Sequence, residues 1–450
     1  MSATAAEKLA DHFTALPYDA IPNKHVQDAK TLVLDWLGVA VAGGRTGSGK
    51  IATRFGEAQG GPADATFIAS GGKGPAMHAA FANAIASHSV ELDDVDVLAL
   101  FHFSPPVVAA ALAVAETTKA SGRDFLAAVV GGCEMMARAS DATNNSLRDR
   151  GFHTTPTCGV FGAAVAAGML LKLDRDQMIS ALGLAGAQAS GLMEMYGPSM
   201  QKRFNPGPTA RNGVVAAEMA RMGFTGAATI FDGERGFCRA FSDKVDIARL
   251  THKLGEEFPI HIEYKPYSCA RPIHNAIDCA LAVRRDLAGD LSKIRSMHMR
   301  RHPDWAKYHL NTEPKTYHEA QVSLPYSVAV ALIDGAALLP QYRDERLADP
   351  TIRRLSKMLE VVSDASLPRG VSCRLTVETS DGKSFTAQVD HPRGSIKNPM
   401  TADEMNGKVH LLADDTVGKA TVDKLIAVVG SLEAASGVGD VTRLAAPKGH

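Results

Sequence analysis

The sequence predicts a mainly α protein, with a large all-helical domain into which a smaller α+β domain is inserted. Three observations carry this. From the N-terminus to about residue 260, Ala- and Leu-rich segments of helix length follow one another, parted by short Gly, Pro, Asp or Ser breaks. Near residue 262 the pattern changes, and Val371, Cys373, Leu375 and Val377 come to alternate with Ser372, Arg374, Thr376 and Glu378. After His391-Pro392-Arg393-Gly394 the helical pattern returns. The boundaries that follow are residues 1–261 and 395–450 for the helical domain and 262–394 for the inserted domain.

The elements follow in order. The N-terminus, through Phe13, reads as an amphipathic helix rather than a signal peptide, since no basic stretch precedes an apolar core. Gly44-Arg45-Thr46-Gly47-Ser48-Gly49-Lys50 looks like a phosphate loop, but Ile51 stands where a Ser or Thr hydroxyl is needed, so a solvent loop joining two helices is expected. Ser104-Pro105-Pro106 opens a helix over Val107 to Thr117 that is apolar on nearly every side and therefore central. Ala113 to Gly131 and Ala167 to Gly186 share the plan of a helical hairpin. Beyond them, Ile273 to Leu287 reads as a helix, Lys293 to Arg300 as a strand, and Ser327 to Ile333 as an apolar helix. Ser380-Asp381-Gly382-Lys383 turns the alternating strand back through Phe385, Ala387 and Val389 as an antiparallel hairpin. Thr401-Ala402-Asp403-Glu404 matches a capping box, and Thr421 opens a last amphipathic stretch.

Composition limits the function classes. The chain has 450 residues, 45% of them hydrophobic and 22% charged, enough for a large core. With 48 Lys+Arg against 49 Asp+Glu, no global field recommends nucleic acid or an anionic membrane as partner. The apolar runs fall far short of the ~20 residues of a membrane span. Six scattered cysteines lack metal-ligand or disulfide spacing, and a cytoplasmic location is expected.

Two histidines stand before central helices. Glu91-Leu92-Asp93-Asp94-Val95-Asp96 precedes His102, a cluster that would bind a metal, orient an imidazole, or simply be a solvated helix end. His153, with Thr154, Thr155 and Thr157 around it, precedes the apolar run Val160 to Leu171. Helix N-termini offer unpaired N–H groups that suit anions. Lys202-Arg203-Phe204-Asn205-Pro206-Gly207-Pro208 sets two cations on a Pro/Gly-rich turn. Lys265-Pro266-Tyr267 and Arg271-Pro272-Ile273-His274 lie where the helical part gives way to the insertion, and Tyr326 is either a capping aromatic or a phenol facing the same cleft. No GxSxG elbow, HExxH, or GxGxxG in strand–helix context is present.

These strings, together with Gly151-Phe152-His153, Gly186 to Met193 and Gly223-Phe224-Thr225-Gly226, resemble the MmgE/PrpD family in order and nearly end to end. That family contains 2-methylcitrate dehydratases, cis-aconitate decarboxylases and an iminodisuccinate epimerase. The resemblance implies a helical domain built from both chain ends, an α+β lid, a homodimer, and no metal or organic cofactor. It implies His102, His153, Lys202, Lys265 and Tyr326 around the substrate, with Asp93 nearby. Arg203, Arg271, His274, Thr154 and Arg148 are the candidate substrate-binding residues.

The shared chemistry is a carbanion made or quenched beside a carboxylate, which needs a positioned proton-transfer group and fixed positive charge. The expected activity is a cofactor-independent lyase on a small di- or tricarboxylate. An epimerase of an iminodisuccinate-like dicarboxylate and a non-catalytic anion-binding helical dimer are the alternatives. The chain departs from many relatives at Glu91-Leu92, where they read Asp-Phe, and at Asn205, where they carry His. It also has Leu147 and Arg148 where others carry a tyrosine.

Overall fold

The structure is a computed structural model and describes residues 3–98, 100–195, 198–287 and 291–447. The chain divides into two compact units. The first comprises Met1–Met195, Gln201–Ile262 and Ala402–His450, and the second comprises Tyr196–Met200 and Glu263–Thr401.

The first unit opens with helix α1, Ala5–Thr14, whose Thr4 and Glu7 form a capping box. Then come α2, Asn23–Gly44, and α3, Gly47–Glu57. Only Arg45 and Thr46 separate these two, so the expected solvent loop over Gly44 to Lys50 is instead mostly a helix start. The reason is local: Thr46 Oγ1 accepts from the Gly49 amide at 3.2 Å, and buried Ser48 lies 2.7 Å from Ser89 Oγ.

A two-residue hairpin of β1, Ala65–Thr66, and β2, Lys73–Gly74, precedes α4, Ala76–Ser87. The central helices are α5, Ser104–Thr118; α6, Gly122–Thr143; and α8, Thr154–Leu170, with the single turn α7, Ser146–Asp149, between the last two. Next come α9, Arg175–Gly186; α10, Gln201–Phe204; and α11, Pro206–Arg221.

α8 is buried on nearly every side, which its Gly/Ala/Val sequence permits. A Cβ at Gly162 would stand 2.6 Å from the carbonyl oxygen of Gly132, so α6 and α8 can cross this closely only because both positions lack a side chain. Tight packing of this kind holds the helix starts, and whatever they carry, in fixed places.

In the second unit, α12, His274–Asp286, and α13, Leu324–Asp334, share one apolar core with a four-stranded sheet. Its strands are β3, Ile294–Arg301; β4, Leu359–Ser363; β5, Cys373–Thr379; and β6, Ser384–Val389, ordered β4-β3-β5-β6. The β5–β6 hairpin pairs Cys373 with Val389 and Val377 with Phe385. β5 alternates buried and half-buried residues along its length, as its sequence pattern predicts. β4 runs parallel to β3 and follows directly on α14, Pro350–Met358.

The chain then returns to the first unit with α15, Ala402–Val417; α16, Lys419–Gly430; and α17, Gly439–Ala445. Among the described residues no helix is long and apolar enough to cross a membrane.

Candidate active site

The segment between α4 and α5 carries the acidic cluster, and it is buried rather than solvated. Each carboxylate has its own partner. Asp94 caps α5 from a distance, its two oxygens accepting from the Phe103 and Ser104 amides at 2.8 and 3.0 Å. Asp96 accepts from the Leu98 amide at 2.8 Å and pairs by backbone with Phe101. Glu91, in a left-handed conformation at φ 56°, receives both Lys202 Nζ and Arg203 Nη1. Behind them, buried Lys408 of α15 donates to the Leu92 carbonyl at 2.6 Å and to Asp35 at 2.5 Å. Burial pushes the Asp35 carboxyl up to about 6 against the pull of that lysine.

Asp93 serves two imidazoles. His88 Nδ1 lies 2.7 Å from its Oδ2, and His102 Nδ1 lies 3.0 Å from the same oxygen. His102 Nδ1 also meets the carbonyl oxygen of Asp94, and its backbone amide donates to Thr155 Oγ1 at 3.1 Å. A carbonyl only accepts, so Nδ1 of His102 carries a proton, and in the neutral ring the lone pair is on Nε2. The His88, Asp93 and His102 donor atoms lie within 4.8 Å of one another, a spacing a metal ion also uses. The hydrogen bonds of both rings to Asp93 Oδ2 account for that spacing by themselves.

His153 is the N-terminal flanking residue of α8, but its side chain makes no capping bond. Its backbone amide donates to the Gly191 carbonyl at 3.0 Å. Gly191 sits at φ 113°, and a Cβ there would stand 2.3 Å from Pro156. Asn205 Nδ2 lies 3.0 Å from His153 Nδ1 and 3.2 Å from the sulfur of Met195. A thioether accepts and does not donate, so the amide nitrogen faces both atoms, and His153 Nδ1 is an acceptor. The ring proton is therefore on Nε2.

Burial holds the His153 imidazole well below its usual range, and His88, His102, Lys202 and Arg148 add to this in that order. His153 is thus neutral, with Nε2–H available to donate. Thr154 and Thr155 are buried in the first turn of α8 beside it. Lys202 and Arg203 do not sit on an open turn, as expected, but on the single helical turn of α10. Pro206 at the first position of α11 ends that turn.

The structure therefore brings together His102, Asp93, His153, Lys202 and Arg203 of the sequence-predicted residues, with Arg148 on α7 and Thr154 close by.

The other predicted residues belong to the second unit. Lys265 is buried, and Arg271 pairs with Glu263, which also accepts from the Ile396 amide at 3.2 Å. His274 Nε2 lies 3.2 Å from the Cys269 carbonyl, with its ring edge-on to Tyr267. Tyr267 in turn donates to Asp278. Tyr326 is in the core, packed on Tyr342, and its hydroxyl donates to the Gln341 carbonyl at 2.7 Å; burial pushes the phenol up.

Sequence reasoning missed His88, Asp35 and Lys408, and did not separate Glu91 from its neighbours. His88 directly follows an alanine-rich helix and precedes Asp93 by five residues, which is the one local signal it offers.

Comparison with known proteins adds the family. Residues 7–250 match the family model of the MmgE/PrpD N-terminal domain, and residues 267–434 match that of the MmgE/PrpD C-terminal domain. A cis-aconitate decarboxylase-like protein of Aspergillus oryzae is 28% identical, over 97% of this chain and 96% of its own. The cis-aconitate decarboxylase of Homo sapiens is 26% identical, over 96% and 92%. That of Aspergillus terreus is 27% identical, over 95% and 93%.

Proposed function

The chain belongs to the MmgE/PrpD family, and from that premise we propose that it is a lyase acting on a small tricarboxylate of the cis-aconitate kind, by proton transfer at a carbon next to a carboxylate. The observation that carries this is the opposite tautomers of two neighbouring histidines. His102 turns Nδ1 to Asp93 and leaves Nε2 to exchange a proton, while His153 presents Nε2–H backed by Asn205.

These tautomers divide the work. Asp93 stabilises the imidazolium of His102, so His102 is the group that takes up and gives back a proton. His153 stays neutral and donates a hydrogen bond to the oxygen on which charge develops. In a decarboxylation the C–C bond to one carboxylate breaks, CO2 leaves, and the electron pair spreads over the adjacent double bond and carboxylate. His102 Nε2, having taken up a proton from solvent, then delivers it to that carbon and closes the product. Lys202 and Arg203, already paired with one carboxylate, suit the substrate's remaining charges. Loss of water from a β-hydroxy acid would use the same two rings with His102 as base, but the relatives' names favour decarboxylation.

Lys265, Arg271, His274 and Tyr326 stay in the proposed set on the family resemblance alone. So does a homodimer, which light scattering at micromolar concentration tests. The activity is tested by following cis-aconitate, citrate, 2-methylcitrate and iminodisuccinate with the purified protein by proton NMR, with and without EDTA. CO2 release from cis-aconitate, unaffected by chelator, is the expected outcome. Inversion of a stereocentre without alkene formation or CO2 would replace the lyase by an epimerase.

A further inference from the structure

We propose that His88 is a positioning residue for His102, acting through the carboxylate of Asp93. It rests on reading His102 as the proton-transfer group. The geometry singles it out: both rings address the same oxygen of Asp93, at 2.7 and 3.0 Å, and their centroids are 4.8 Å apart in an edge-on arrangement. His88 is held at the C-terminal end of α4, where its amide closes the last turn onto Ala84. It is fully buried, and its Nε2 has no hydrogen-bond partner among the described residues. Its hydrogen bond to the site is the one to Asp93, beside the edge contact with the His102 ring.

A carboxylate oxygen only accepts, so His88 Nδ1 carries a proton and Nε2 is bare. Burial pushes this imidazole down to about 4, with His102 and Lys202 adding to the effect, so His88 remains an uncharged donor. An uncharged donor stabilises the Asp93 anion without cancelling it. The oxygen that must stabilise the His102 imidazolium is thereby shared, which tempers how strongly the His102–Asp93 pair draws a proton.

The other titratable groups around the pair come from several elements. Asp35 of α2 faces Lys408 of α15, Asp94 adjoins Cys133 of α6, His153 borders α8, and Lys202 comes from α10. The donors to Asp93 Oδ2 that carry the proposal are His88 and His102.

The test compares wild type, His88→Leu, which removes the donor, and His88→Asn, which keeps an N–H near the position of Nδ1. Ring-labelled histidine, with His102 assigned by His102→Gln, reports the tautomer and titration of His102 by nitrogen NMR whether or not the protein turns anything over. The expected result is a His102 midpoint roughly 0.5–1 pH unit higher in His88→Leu than in wild type, with return toward wild type in His88→Asn. The limb of kcat/KM governed by His102 should move by the same amount, with kcat changing more than KM. An unchanged His102 midpoint in a folded His88→Leu, or the same shift in both variants, would overturn the positioning role. Should His88→Leu fail to fold, His88→Asn and His88→Gln decide: two folded variants of unequal donor placement with identical midpoints also refute it. Failure of the functional reading would show separately, as absence of turnover by the wild type.

Discussion

Asn205 donates its amide N–H to Nδ1 of His153 across 3.0 Å, and that contact decides which ring nitrogen faces the site. Relatives that carry histidine at this position would hold the same ring by a group that can itself titrate. Here the partner cannot change its charge, so it does not switch the His153 tautomer by titrating.

Replacing that amide by a carboxylate should therefore reverse the tautomer. In Asn205→Asp the new acceptor draws the proton to Nδ1 and strips Nε2 of its donor. Loss of a preorganised donor to a developing oxyanion lowers kcat on the order of 10²-fold, with a smaller effect on KM. Steady-state kinetics on the substrate found for wild type reads this out, and an unchanged kcat would show that the Nε2 proton of His153 is not used.

Glu91 compensates both Lys202 and Arg203 in a buried setting. Removing its charge in Glu91→Gln leaves two cations under-compensated and should cost about 3–5 kcal/mol of stability. Urea denaturation measures the loss. The same variant should gain more in melting temperature from an added tricarboxylate than wild type does, because the anion takes over the missing charge. Equal gains in the two proteins would mean that these cations do not face the ligand.

Stability should fall in mild acid. The folded state holds His88 down to about 4 and His153 well below its usual range, so between about pH 6.5 and 4 the unfolded chain binds more protons and unfolding becomes easier as pH drops. Asp35 works in the opposite direction, since its carboxyl is raised to about 6 and the folded state binds its proton first on acidification. His88→Asn removes one of the histidine contributions. Its stability, measured by urea midpoint across this window, should depend less steeply on pH than that of wild type; an equal slope would mean that His88 titrates alike in the folded and unfolded chain.

The sequence displayed much of this site because helix starts leave marks. His102 and His153 stand before apolar helices opened by Pro and Thr residues, and both are at those helix starts in the structure. Asp93 was visible as an acid near a histidine, but the division of labour among Glu91, Asp93, Asp94 and Asp96 depends on where a buried loop turns, which no periodicity records. His88 was hidden because it reads as the tail of an alanine-rich helix. Lys408 was hidden because its partners, Asp35 and Leu92, lie more than 300 residues away in sequence. In the second unit the β5–β6 hairpin followed from strict alternation. β4 escaped notice because helix α14 runs into it without a turn signal, and only two of its five residues are buried or half-buried. Tyr326 was open between two readings, and its bond to the Gln341 carbonyl places it in the core of its own unit.

Cis-aconitate turnover in deuterated water tests whether His102 moves the proton in a lyase reaction. With wild type, NMR should show release of CO2 and one solvent deuterium fixed on carbon per product molecule. His102→Gln, with its melting temperature preserved, should be slower by roughly 10²–10⁴-fold. Wild type that releases no CO2 would refute the decarboxylation, and a His102→Gln variant that labels and turns over like wild type would refute proton transfer by His102.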